Sequence, residues 1–160
     1  MSRNQVATTL VIHACPSGST QAVGELLSGL EINWLAQPLL VGSVKTEFAL
    51  KMSAIELEDI VSQLRRVEGI YLDCMQQGKE SGIWFMLAAG LGVFRAQTNA
   101  AGEIMLSEDR IRNALDQSAG NHRELTRLLR IQLGQAWDDV LEPFRAARYQ
   151  GNLALIHQAG

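Results

Sequence analysis

The chain is poor in the residues that staple, bend or charge a protein. Its 160 residues include two cysteines and three prolines. The thiols, Cys15 and Cys74, are too few for a disulfide framework and lack the CxxC spacing of a zinc or redox site. Two reduced, inert thiols are the expectation. Aromatic residues make up 6% of the chain and charged residues 19%. A net charge of −3 and an isoelectric point near 5.6 give no overall field to gather nucleic acid or an anionic membrane surface. No apolar run approaches the roughly 20 residues that a membrane-spanning helix needs. The start, Met1 to Gln5, lacks the charged, apolar and small-residue regions of a secretory signal. Together these absences predict a cytoplasmic protein with neither nucleic acid nor membrane as partner.

What is present is apolar residue in quantity, 47% of the chain, patterned for a mixed fold. A chain of this length buries roughly 70% of its unfolded surface, so one domain over 1–160 is expected. Val6 to His13 is β-branched and apolar on both faces, as in a covered central strand. Pro16 to Thr20 breaks it, and Val23, Leu26, Leu27 and Leu30 fall on one helical face. Ile32 to Ala36 reads as a second strand stopped by Pro38. From Val44 to Met52 apolar residues alternate with Lys45, Glu47, Ala49 and Lys51, a strand with one polar face. Ser53 and Glu56 form a capping box before the stripe Leu57, Ile60, Val61, Leu64 and Val67. Ile70 to Met75 is a fourth strand. Residues 1–76 thus read strand, helix, strand, strand, helix, strand, and predict a ferredoxin-like βαββαβ core in an α+β fold.

Residues 83–160 read as a hairpin plus helices packed on that core. Ile83 to Leu87 and Val93 to Thr98 are strand-like, separated by a bend at Gly90 and Gly92. Asn99 to Gly102 turns the chain into Glu103 to Leu106. Ser107 caps a helix that turns Ile111, Ala114 and Leu115 inward. One long helix is expected from Arg123, burying Leu125, Leu129, Leu133, Trp137, Val140, Leu141 and Phe144, with Pro143 bending or ending it. Leu153 to His157 reads as a short last strand.

No motif encodes a recognised chemistry, and no cofactor or metal is assigned. The richest local combination is His13, Cys15, Ser17, Gly18 and Ser19, where a strand end meets a helix start and backbone N–H groups converge. It has no lysine, so it is not a nucleotide-binding P-loop. His13 as base and Cys15 as nucleophile would need a shared face. His13, Cys15 and His157 have no metal-ligand spacing. Asp138 and Glu142 share a helix face with Arg145, as in a salt-bridged surface. Arg123, Arg127 and Arg130 read as a solvated helix face, since no aromatic platform accompanies them. Trp34 and Gln37, beside Pro38 at a strand end, carry an indole and an amide able to line a pocket.

The stretches Trp34-Leu35-Ala36-Gln37-Pro38 and Trp137-Asp138-Asp139-Val140-Leu141-Glu142-Pro143 stand out as motifs. With Leu91-Gly92, Gly134, His13, Arg110 and Arg112, they make the chain resemble the actinobacterial domain-of-unknown-function family numbered 3145, over nearly its whole length. It differs from that pattern in the Gly/Ser loop after His13 and in Phe94, where a tryptophan is usual. The resemblance implies a cytoplasmic bacterial protein, transfers no catalytic residue, and hints at fatty-acid synthesis. The first expectation is therefore a self-associating, non-enzymatic binding or regulatory module. The alternative is a small enzyme or accessory factor of acyl metabolism, with a pocket near His13, Trp34 and Gln37.

Overall fold

The computed structural model describes residues 5–159, with side chains described as far as residue 147. The polar start before Gln5 lies outside the described residues. Seven strands form one sheet: β1 (Val6–Pro16), β2 (Leu35–Ala36), β3 (Ser43–Met52), β4 (Tyr71–Gln77), β5 (Ser81–Ala88), β6 (Gly92–Asn99) and β7 (Ile104–Met105). Their spatial order is β2-β3-β1-β4-β5-β6-β7, and every neighbouring pair is antiparallel. Among the described residues five α-helices accompany the sheet: α1 (Thr20–Leu26), α2 (Ala54–Leu64), α3 (Glu108–Ser118), α4 (His122–Gln132) and α5 (Gln135–Ala159).

Each face of the sheet has its own cover. On one, α1 and α2 bring Val23, Leu57, Val61 and Leu64 against Leu10, Ile12, Leu72 and Phe85. The capping box forms as expected: Ser53 Oγ accepts from the Glu56 N–H, and Glu56 returns a carboxylate oxygen to the Ser53 N–H. On the other face, Leu141 of α5 packs with Met86, Phe94 and Ala96, flanked by Trp84 and Trp137. The alternation of β4 and β5 divides between these two layers, Leu72, Cys74, Phe85 and Leu87 on one and Tyr71, Trp84 and Met86 on the other. The mixed α+β class and the four leading strands follow the sequence.

Several expectations are corrected. The strand foreseen at Ile32 to Ala36 contracts to Leu35–Ala36. Trp34 leaves the ladder and packs against the core between the sheet and α1/α2. The bend expected at Gly90 and Gly92 is the tight β5–β6 hairpin connection, with φ 83° and 78° at the two glycines. Of the three α3 residues expected to face inward only Ala114 is buried, while Ile111 and Leu115 face outward. The single long helix is two, because Gly134 adopts φ 73°, a conformation that ends α4. Its backbone also presses on the core: a Cβ there would lie 2.7 Å from Met86 Cε and 2.9 Å from the Phe94 ring. Leu125 and Leu129 are only half-buried, and Leu133 is exposed. Pro143 lies inside α5 without ending it. The last strand foreseen at Leu153 to His157 is helical and belongs to α5. Once a helix is running, each added residue gains a backbone hydrogen bond, whereas a new strand needs an open sheet edge.

Candidate functional site

The foreseen site residues divide between the two faces of the sheet. A β-bulge in β1 is the cause: Ile12 pairs with Thr46, but the next pair is Cys15 with Val44. The extra residue reverses the alternation, so His13 and Cys15 point to opposite sides. Cys15 is buried in the α1/α2 layer, where burial pushes its thiol up to about 11. His13 turns its ring toward α5, 6.2 Å from the Phe144 ring. Ser17 is exposed, and its hydroxyl donates to the Gly42 carbonyl at 2.8 Å. Gln37 is buried and clamps backbone, its amide donating to the His13 carbonyl at 2.6 Å while its oxygen accepts from the Leu39 N–H. Thus Gln37 meets the His13 backbone, while Trp34 and Cys15 lie across the sheet from the imidazole.

The imidazole belongs to a network centred on Asp73, a carboxylate in the middle of β4. Asp73 Oδ2 accepts from His13 Nε2 at 2.8 Å and from Arg145 Nε at 2.9 Å. Its Oδ1 accepts from Trp84 Nε1 at 3.0 Å and from Arg145 Nη2 at 2.9 Å. Arg145 therefore grips Asp73 with two parallel bonds, a fork geometry that only a guanidinium supplies. Its remaining nitrogen, Nη1, donates to Asp138 Oδ1 at 2.9 Å, and Glu142 stands at 3.7 Å. The guanidinium carbon lies 5.7 Å from the Trp84 ring centroid. Burial alone would raise the Asp73 carboxyl, but the bonds from His13 and Arg145 and the Arg145 charge outweigh it and hold it well below the usual carboxylate range. Since an ionised carboxylate only accepts, His13 Nε2 carries the hydrogen.

Beside this network runs an open groove of about 590 Å³. Ala7, Thr9 and Val11 of β1 and Met75 and Gln77 of β4 form its floor. His13, Asp73, Trp84 and Arg145 close one end, and the β6–β7 turn at Ala100, Ala101 and Gly102 borders the other. From Ala7 to His13 the floor is about 20 Å long at the rise of an extended strand. Gln77 ties floor to turn, its amide reaching the carbonyls of Asn99 and Ala100. A shape of this kind suits an elongated ligand with an apolar side.

A model of a family described as a protein of unknown function, DUF3145, matches residues 9–158. The chain belongs to this family. The match takes in the Asp73 network and nearly all of the groove. No curated protein and no solved structure matches the chain. In this DUF3145 chain, sequence reasoning found His13 and saw that Asp138, Glu142 and Arg145 share a face, but it missed Asp73 and Trp84. The available signal was Asp73 itself, a carboxylate inside an otherwise apolar strand, which must find a partner when covered. Among the described residues no group of three or more histidine, cysteine or acidic side chains is arranged to hold a metal.

Proposed function

We propose that this DUF3145 protein is a non-enzymatic cytoplasmic binding module that takes an elongated ligand along the β1–β4 groove. One observation carries the reading: the carboxylate and the guanidinium at the closed end are spent on one another and on their neighbours. Asp73 accepts four hydrogen bonds, and Arg145 divides its donors between Asp73 and Asp138. A carboxylate acting as general base or nucleophile needs a lone pair aimed at the substrate, and the Asp73 oxygens are instead held in a rigid wall. The floor offers Val11, Met75 and Ala7 for apolar contact, with Thr9 and Gln77 as polar markers of orientation.

The apolar floor also favours a second reading, an accessory factor of acyl metabolism whose ligand is an alkyl chain. The proposed self-association has support in exposed apolar residues at and after the edge strand, Leu35 on β2 and Leu39 and Val41 in the connection to β3. A ferredoxin-like core over residues 1–76 is supported by the antiparallel order β2-β3-β1-β4. Isothermal titration with dodecanoate and with a short extended peptide of alternating valine and threonine tests the groove. Saturable binding of one probe is expected, weakened about tenfold or more by Thr9→Arg, which obstructs the floor from an exposed position. Equal binding to wild type and Thr9→Arg overturns the groove reading, and chemical conversion of the probe overturns the non-enzymatic one.

A further inference from the structure

The helix with the clearest separation of charged and apolar faces, α4, contains no fully buried residue. Leu125, Leu128 and Leu129 are half-covered, and Ile131 is 50% exposed. Amphipathic helices are stabilised mainly by burying their apolar side, so α4 holds apolar surface that its own chain leaves open. Next to it, the turn at Gly134 swings the chain into α5. The elbow between the two helices is an open cleft of about 520 Å³, with Ile131, Ala136 and Trp137 on its apolar side and Arg123, Arg127 and Arg130 along it. Glu124 pairs with Arg127, and Gln135 occupies the Asp139 carboxylate at 2.8 Å. Arg123 and Arg130 have no ion-pair partner among the described residues.

We propose that the α4–α5 elbow is a docking groove for an acidic amphipathic helix of a partner protein, a surface separate from the β1–β4 groove. The arginines stand at i, i+4 and i+7, about 6 Å and then 4.5 Å apart along the helix axis. A partner helix with carboxylates at the same spacing sets a complementary row beside them, while its apolar face fills the Ile131–Trp137 side. A single small anion spans too little of the roughly 10 Å between the first and last arginine to engage all three. Single-stranded nucleic acid would need a free aromatic platform. Trp137 alone does not make one: its ring already packs 5.4 Å from Phe94, its indole N–H donates to the Gly92 carbonyl at 3.0 Å, and no second tryptophan, tyrosine or phenylalanine lines the cleft among the described residues.

Fluorescence anisotropy with the full chain tests this. The probes are a labelled helical peptide of about 18 residues, long enough to hold helix in water, carrying a glutamate row flanked by leucines, a scrambled peptide of the same composition, and a single-stranded oligonucleotide. The ordered peptide is expected to bind in a salt-sensitive manner and at least about tenfold more tightly than the scrambled one. Arg123→Glu combined with Arg130→Glu, and separately Ile131→Asp, should each weaken it about tenfold or more with an unchanged circular dichroism spectrum. Equal binding of both peptides, no binding at about 1 mM, or insensitivity of folded variants overturns the proposal. Tighter binding of the oligonucleotide than of the ordered peptide overturns it in favour of nucleic acid.

Discussion

Replacing Arg145 by alanine strikes the joint between α5 and the sheet. The change removes both bonds to Asp73 and the bond to Asp138. Removing one partner of a buried ion pair typically costs about 3–5 kcal/mol, because the other charge is left uncompensated. Here the side chains of Arg145 and Asp73 are 21% and 15% exposed, and His13 and Trp84 still donate to the carboxylate. Residual solvation and those donors reduce the expected loss to about 2–3 kcal/mol. For a domain of this size that lowers Tm by about 4–12 °C. Urea unfolding followed by circular dichroism measures it, and a double-mutant cycle with Asp73→Asn isolates the pair, with an expected coupling of about 1.5–3 kcal/mol. The pH dependence gives an independent check. The folded Asp73 carboxyl is held below its unfolded value, so its contribution is full above about pH 4 and declines as pH falls further, toward the folded pKa. The stability gap between wild type and Asp73→Asn should therefore be constant near neutrality and narrow in acid. A loss below about 0.5 kcal/mol for Arg145→Ala, the range of an ordinary surface substitution, would refute the reasoning, as would a gap that widens on acidification.

Two further predictions concern packing and thiols. Gly134→Ala places a methyl group 2.7 Å from Met86 Cε at a backbone of φ 73°. It should lower stability by about 1–3 kcal/mol in urea unfolding, and a neutral effect would show that the α4–α5 turn relaxes freely. Burial pushes Cys15 up to about 11 and, with the Asp73 charge adding to it, Cys74 up to about 12. Neither thiol should react appreciably with a disulfide reagent at about pH 8 in the folded protein, and both should react once it is unfolded. Rapid labelling of either native thiol contradicts this.

The parts of the fold that were legible in the sequence are those determined locally. The alternation from Val44 to Met52 and the capping box at Ser53 depend on residues near one another in the chain, and both form as written. Gly134 was less legible, because a glycine between two helical patterns signals a break only when its φ and its close approach to Met86 and Phe94 are known. Leu153 to His157 was misread because short apolar runs serve a strand or a helix equally well. At the site, His13 was found, but its partners were not: Arg145 reaches Asp73 across 72 positions of chain. The β1 bulge hid the rest. A single extra residue between Ile12 and Cys15 sends His13 and Cys15 to opposite faces, and no residue type in that stretch announces it.

The central claim is that a ligand lies in the β1–β4 groove against a wall that binds without reacting. The Trp84 indole N–H reports on that wall directly, because it donates to Asp73 at the closed end of the groove. Its nuclear magnetic resonance signal, followed while a groove ligand is titrated into the full chain, should shift saturably and in step with the Met75 methyl signal while the ligand spectrum shows no product. A Trp84 signal that stays fixed as the ligand saturates elsewhere, or a ligand that is converted during the titration, would contradict the account.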